Sequence, residues 1–95
     1  MKVEWSADAG EDRREVWRYI AAENPSAAAR IDAIFSAAAL SLANFPHCGR
    51  PGAVPGTREL MPHDSYRLVY EVDGDTVWVL ALFHTSRQWP PVDRA

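Results

Sequence analysis

Four arginines in the second half of the chain are the residues best suited to bind an anion. Arg50 lies in a loop, Arg58 at the start of a strand, Arg67 in mid-strand and Arg87 after the last strand. A guanidinium group is a rigid fork of donors that matches phosphate or carboxylate. If Arg58, Arg67 and Arg87 converge on one sheet face, they would hold an RNA phosphate or an acidic peptide. The alternative, which spacing alone favours, is that each is solvated or pairs with a nearby carboxylate, namely Glu59, Asp64 or Glu71.

His84, where the last strand ends, is the candidate general acid or base, because imidazole titrates near neutral pH. The simpler interpretation is a hydrogen-bonded histidine that closes the strand. His47 and His63 do not form a zinc-ligand spacing with Cys48, so we expect no metal and no cofactor. Cys48 is the only cysteine, which excludes an internal disulfide and a Cys-x-x-Cys motif.

Trp89 follows Arg87 in an Arg-Gln-Trp-Pro segment beyond the last strand. An exposed tryptophan beside an arginine is typical of an interface anchor. The alternative is that Trp89 folds back and caps the edge of the sheet. The sequence leaves both interpretations open.

Two helices in the first half are the longest elements that position these side chains. Ser6 or Asp8 can cap the first helix, which we expect to run to about Glu23. The pair Asn24-Pro25 supplies the cap and first residue of a second helix. That helix ends at Phe45-Pro46, because the residue before a proline disfavours the helical conformation. The short link between the two predicts an antiparallel helical hairpin.

Strands account for the remaining regular structure. Residues 2–5 alternate as a short first strand. Residues 46–57 contain three prolines and three glycines, so we expect a loop without helix or strand. Three strands follow at 58–62, 66–73 and 76–83. The last of these is apolar on both faces, which predicts a central position in the sheet.

The element order is therefore β-α-α-β-β-β, which predicts one α+β domain over residues 1–95. We expect the helical hairpin to pack on one face of a small, mainly antiparallel sheet. The other face then stays partly open and is a place to look for function.

The charge balance limits the partners. Ten Lys and Arg residues face thirteen Asp and Glu residues, for a net charge of −3. Proteins that bind nucleic acid through counterion release normally carry a basic surplus, so such a role would depend on a local patch. No apolar run approaches the roughly 18 residues of a membrane span. We do not expect residues 1–5 to begin a signal peptide, because no apolar stretch follows Lys2. We therefore expect a cytoplasmic protein without membrane contact.

Several short motifs, in order along nearly the whole chain, resemble those of one family. They are Asn24-Pro25 with Ala28, Gly49-Arg50, Gly56-Thr57-Arg58-Glu59-Leu60, Tyr66-Arg67-Leu68-Val69-Tyr70 and His84-Thr85-Ser86-Arg87-Gln88-Trp89. Together they resemble the RelE/ParE superfamily, the toxin half of type II toxin–antitoxin modules, including plasmid-stabilisation modules. The resemblance implies a cognate antitoxin whose flexible segment wraps the toxin and neutralises it, with oligomers formed only through that complex.

The resemblance implies one of two targets. RelE-like members bind the ribosome and cleave mRNA. In that branch Arg67 matches the strand arginine that contacts phosphate, Arg87 lies near an arginine after the last strand, and His84 lies near a strand-end histidine. These three residues would then be catalytic.

ParE-like members instead poison DNA gyrase and are not nucleases. In that branch Arg50, Arg58, Arg67, Arg87 and Trp89 would contact the antitoxin or the target. Three departures favour this branch: residues 58–62 lack a lysine pair, the tail offers Trp89 in place of a tyrosine, and the chain is acidic overall. The ribosome-dependent endoribonuclease remains the alternative.

Overall fold

The computed structural model describes residues 1–91. Two helices pack on one face of a five-stranded sheet, which confirms the α+β class and the helical hairpin. The elements are β1 (Lys2–Trp5), α1 (Ala7–Ala21), α2 (Pro25–Ser41), β2 (Arg50–Pro51), β3 (Arg58–His63), β4 (Tyr66–Asp73) and β5 (Thr76–His84).

Both helices begin where side-chain caps satisfy the first backbone donors. The Ser6 hydroxyl, and not Asp8, accepts a hydrogen bond from the Ala9 N–H at 3.1 Å. The Asn24 side chain accepts from the Ala27 N–H at 3.1 Å, and Pro25 takes the first helical position. Each helix ends slightly earlier than the sequence predicts. Within residues 1–91, no helix is long and apolar enough to cross a membrane.

The sheet has the strand order β1-β5-β4-β3-β2. β1 runs parallel to β5, and the other neighbours are antiparallel. β5 therefore pairs on both edges, which confirms the central position expected from its apolar sequence.

The prediction that residues 46–57 hold no strand is wrong at Arg50 and Pro51. These residues form β2 and pair with Glu59 and Arg58 at the edge of the sheet. A proline is tolerated there because an edge strand leaves one row of N–H groups unpaired. Gly49 allows this approach, since a Cβ atom at that position would lie 2.8 Å from the Tyr70 hydroxyl.

The hydrophobic core lies between the helices and the sheet. Phe35 of α2 and Leu42, which caps its C-terminus, are almost fully buried, and the Phe35 ring packs edge-on against Tyr66. The sheet side of this core consists of Tyr66, Leu68, Tyr70, Val77, Val79 and Leu82.

A β-bulge in β5 changes which of its side chains face the helices. Val69 pairs with Ala81 and Tyr70 pairs with Val79, so Leu80 is an extra residue. The first turns of α1 support the irregular backbone: Asp12 Oδ2 accepts from the Leu82 N–H at 3.1 Å. Beyond the bulge the alternation of β5 is reversed.

We predict that the Tyr70→Phe substitution destabilises the fold by detaching the loop before β3. The buried Tyr70 hydroxyl accepts a hydrogen bond from the Gly49 N–H at 2.9 Å. Without the hydroxyl, the Gly49 N–H stays buried and unpaired, which should lower the free energy of unfolding by about 1–3 kcal/mol. Urea denaturation measures this change. Tyr19→Phe is the control, because Tyr19 is 82% exposed and its change should stay below about 0.5 kcal/mol. Equal effects in both variants would contradict the anchoring role.

Candidate functional site

The two faces of the sheet carry different candidate residues. We call the face opposite the helices the open face; it carries Glu59, Arg67, Val69, Ala81 and Phe83. The second candidate site is a groove between α1, α2 and the ends of the strands, which we call the helix-side groove. Residues directly opposite each other in paired strands share a face, so the strand register assigns each side chain to one of the two sites.

Arg67 lies on the open face, opposite Phe83, and forms an ion pair there. Its Nη1 is 3.5 Å from Glu59 Oε1, and Arg50 Nη2 is 3.9 Å from the same oxygen. Of the carboxylates that the sequence offered as partners, Glu59 is therefore the one that Arg67 uses. Arg67 Nε is buried and has no hydrogen-bond partner among residues 1–91. The open face thus presents an arginine whose charge is already balanced.

Arg58 does not join Arg67, so the three arginines do not converge on the open face. This agrees with the alternative that the spacing favours, in which the arginines act separately. Arg58 pairs with Tyr70, which places it on the helix side of the sheet. Its Nη1 donates to the carbonyl oxygens of Gly49 at 2.7 Å and His47 at 3.2 Å. Arg58 holds the loop in place through the two donors of its Nη1.

His84 lies on the helix side, at the end of β5 and opposite Tyr66. Its Nδ1 accepts from the Ser86 N–H at 3.1 Å and is 2.7 Å from the Ser86 hydroxyl. His63 at the end of β3 repeats the arrangement, because its Nδ1 accepts from the Ser65 N–H at 3.0 Å. A neutral ring that accepts at Nδ1 carries its proton on Nε2. His84 therefore closes its strand through a hydrogen bond, and a catalytic role for it stays a prediction.

The helix-side groove has a volume of about 780 Å³. Burial raises the pKa of the Tyr66 hydroxyl above its ordinary value, and the His84 ring lies edge-on to Tyr66 at 5.6 Å. Arg87 lines this groove together with His84, and it also lines a cavity between the start of α1, the end of β5 and Trp89. Of the three catalytic candidates, the structure thus brings His84 and Arg87 together and leaves Arg67 on the other face.

Trp89 folds back onto the sheet, as the second of the two interpretations predicts, although it covers the open face and not an edge. Its ring stacks on Phe83 with the centroids 5.0 Å apart and an interplanar angle of 21°. It also packs with Val69 and Ala81, and it is half-buried. The open face is therefore partly covered by the chain itself.

Sequence reasoning missed the burial of Glu59 and the contribution of His63 to the groove. Glu59 stood in the sequence only as one of several carboxylates near an arginine, and no local pattern marks it as buried. His63 looked like a loop residue because the strand was expected to end at residue 62. Among residues 1–91, no cluster of three or more His, Cys, Asp or Glu side chains is arranged to hold a metal ion.

Comparison with known proteins identifies the family. The family of ParE toxins of type II toxin–antitoxin systems, parDE, matches residues 3–89. The chain belongs to the ParE toxin family. Y4kP, a toxin candidate of Sinorhizobium fredii, is 37% identical over 92 residues, which span 96% of this chain and 95% of Y4kP. The expected place in the RelE/ParE superfamily is confirmed, and the protein is a toxin of the ParDE type with an antitoxin as its implied partner.

Two solved structures share the fold of this ParE-family toxin. The chromosomal ParDE toxin–antitoxin system of P. aeruginosa aligns with a TM-score of 0.77 and 22% identity, over 88% of this chain and 95% of the other. The YoeB/ParE toxin of Agrobacterium tumefaciens aligns with a TM-score of 0.63 and 17% identity, over 88% and 98% of the two chains. At these identities the likeness shows the fold alone.

We predict that Trp89→Ala destabilises this ParE-family toxin. The substitution uncovers Phe83 and removes an aromatic stack, for an expected loss of about 1–3 kcal/mol in the free energy of unfolding. Trp17→Ala is the matched control, because Trp17 is 41% exposed on α1. Urea denaturation followed by circular dichroism checks both variants. A loss for Trp89→Ala no larger than that of Trp17→Ala would show that Trp89 leaves the sheet in solution.

Proposed function

We propose that this toxin acts on DNA gyrase and is silenced by its cognate antitoxin in the bacterial cytoplasm. Membership of the ParE family supports the gyrase target, since ParE-like toxins are the gyrase-directed branch of the superfamily. The observation that carries the choice of a binding toxin over a nuclease is the separation of Arg67 from His84.

RNA cleavage needs the phosphate-binding group and the general acid or base around one scissile bond. A catalytic acid or base must lie within about 2.6–3.2 Å of the atom it protonates or deprotonates. Arg67 is on the face of Phe83, whereas His84 is on the face of Tyr66, and the sheet lies between them. The two side chains are not placed to act on the same phosphate.

Charge supports the same conclusion. Arg67 is balanced by the buried Glu59, and the chain as a whole carries a net charge of −3. Docking on the ribosome brings a protein close to a dense array of phosphates, and affinity for phosphates comes from unpaired cations. The open face of this chain offers few unpaired cations.

The helix-side groove is the surface we assign to the antitoxin's flexible segment. Its lining includes the apolar side chains of Val16, Ile20 and Ile31. Asp12, Glu15, His84 and Arg87 are among the charged or titratable residues beside them. An amphipathic acidic segment that folds on binding would bury its apolar side chains there and place carboxylates near Arg87. Of the contacts proposed from the sequence, Arg87 and the exposed Arg50 keep available donors, whereas Arg58 is engaged by backbone carbonyls.

The first test is a labelling time course after induction of the toxin alone in a bacterium. We expect incorporation of labelled thymidine to fall early while incorporation of labelled methionine continues, because gyrase inhibition stops replication before translation. Purified toxin should also reduce supercoiling of relaxed plasmid by purified gyrase.

The control is the same induction with the antitoxin co-expressed, which should restore both incorporations. Early collapse of translation with continued DNA synthesis would contradict the gyrase target. If ribosome-bound mRNA is then cleaved, and Arg67→Ala abolishes cleavage with the fold intact, the protein is a RelE-like endoribonuclease.

A further inference from the structure

Glu59 is a buried carboxylate beneath two arginines of the open face. Its side chain is 4% exposed, whereas those of Arg67 and Arg50 are 26% and 65% exposed. Both arginines approach the same oxygen, Oε1. One carboxylate therefore lies against both guanidinium groups and offsets one of their two positive charges from within the protein.

The loop between β2 and β3 holds Glu59 in this position. Glu59 Oε2 accepts a hydrogen bond from the Ala53 N–H at 2.8 Å. Gly52 packs so closely that a Cβ atom there would lie 3.2 Å from the same oxygen. The carboxylate is thus fixed on one side by the loop backbone and on the other by the arginines, and it has no room to turn outward.

Burying a charge costs folding free energy unless the charge is paired. A protein with a well-packed apolar side chain in place of a buried ion pair is often as stable as the original. Glu59 pairs across the sheet with Val69, which shows that this part of the open face accommodates an aliphatic side chain. Packing alone therefore does not require a carboxylate here. An aliphatic residue would lack both the hydrogen bond from the Ala53 N–H and the negative charge beside Arg67 and Arg50.

We propose that Glu59 is a specificity-determining residue that keeps nucleic acid off the open face. Arg50, Arg67 and Met61 line a pocket of about 240 Å³ around Glu59. A phosphate that enters this pocket is attracted by Arg67 and repelled by the carboxylate of Glu59. Salt does not screen either interaction over the few ångströms of protein between them. Glu59 therefore weakens the attraction of the open face for phosphate backbones. This proposal goes beyond the gyrase target and holds whichever protein the toxin attacks.

The test compares binding of a short fluorescein-labelled single-stranded RNA by fluorescence anisotropy at several salt concentrations. Glu59→Gln keeps the size of the side chain and an oxygen that can accept from Ala53. We expect this variant to bind the RNA at least about fivefold more tightly at low salt than the wild type. The slope of log K against log salt should steepen by about 0.7 for each arginine that gains a phosphate.

Two further variants distinguish this effect from a general change in charge. Glu71→Gln removes a carboxylate from the same face of β4, and Glu71 forms no ion pair within the part of the chain that the structure describes. We expect it to change RNA affinity by less than about twofold. Adding Arg67→Gln to Glu59→Gln should reverse the gain, because the freed guanidinium is its source.

The proposal is overturned if Glu59→Gln gains no affinity, or if Glu71→Gln gains as much. Circular dichroism and thermal melting establish whether Glu59→Gln is folded. If it is not, the Arg67→Gln substitution in the wild-type protein decides. The proposal is supported if the wild type binds RNA weakly and Arg67→Gln does not alter that binding. It is overturned if the wild type binds RNA tightly and Arg67→Gln abolishes the binding. None of these readouts uses gyrase, so they succeed or fail independently of the proposed target.

Discussion

The pairing of β4 with β5 is the constraint on which both candidate sites depend. Side chains alternate between the faces of a sheet, so one extra residue in a strand moves every later side chain to the opposite face. Leu80 is that extra residue. It brings Leu82 and His84 under the helices while Ala81 and Phe83 turn to the open face. Asp12 of α1 accepts the Leu82 N–H and thereby ties the bulge to the helix that covers it. The separation of His84 from Arg67 is thus a property of the whole sheet and not of local rotamers.

A second constraint is the balance of charge around Glu59. Its carboxylate is satisfied by the Ala53 N–H and by Arg67, so the loop, the edge strand and the open face depend on one another. The loop is also held from the helix side, where Arg58 donates to the Gly49 carbonyl. Arg58 and Glu59 are neighbours in one strand, and alternation sends them to opposite faces of the sheet. Each binds the loop from its own side, which explains why a proline- and glycine-rich segment lies in one defined path.

The sequence predicted the elements well and the sites less well, for identifiable reasons. The caps Ser6 and Asn24, the strand ranges and the alternation of β4 follow from short-range patterns that survive in the fold. The bulge at Leu80 does not follow from such a pattern, because residues 76–83 are apolar on both faces and the sequence therefore shows no alternation that a bulge could interrupt. The burial of Glu59 depends on how a distant loop returns to the sheet, which no local pattern encodes. The helix caps and the long strands, which needed only neighbouring residues, were therefore predicted, whereas the edge strand at Arg50 and Pro51 and the placement of the arginines on the two faces needed the register.

One fold can support RNA cleavage or protein binding, because function depends on the site and not on the architecture. This chain keeps an arginine in the strand position that suggests phosphate contact, yet the surroundings of Arg67 change what it can do. Glu59 offsets its charge, Trp89 covers the surface beside it by stacking on Phe83, and the bulge removes His84 to the other face. The bulge underlies two of these features, because it also turns Phe83 to the open face, whereas the Glu59 ion pair joins β3 and β4. These surroundings suit the open face to the protein target that we propose better than to a phosphate, because Arg67 is already engaged in its ion pair.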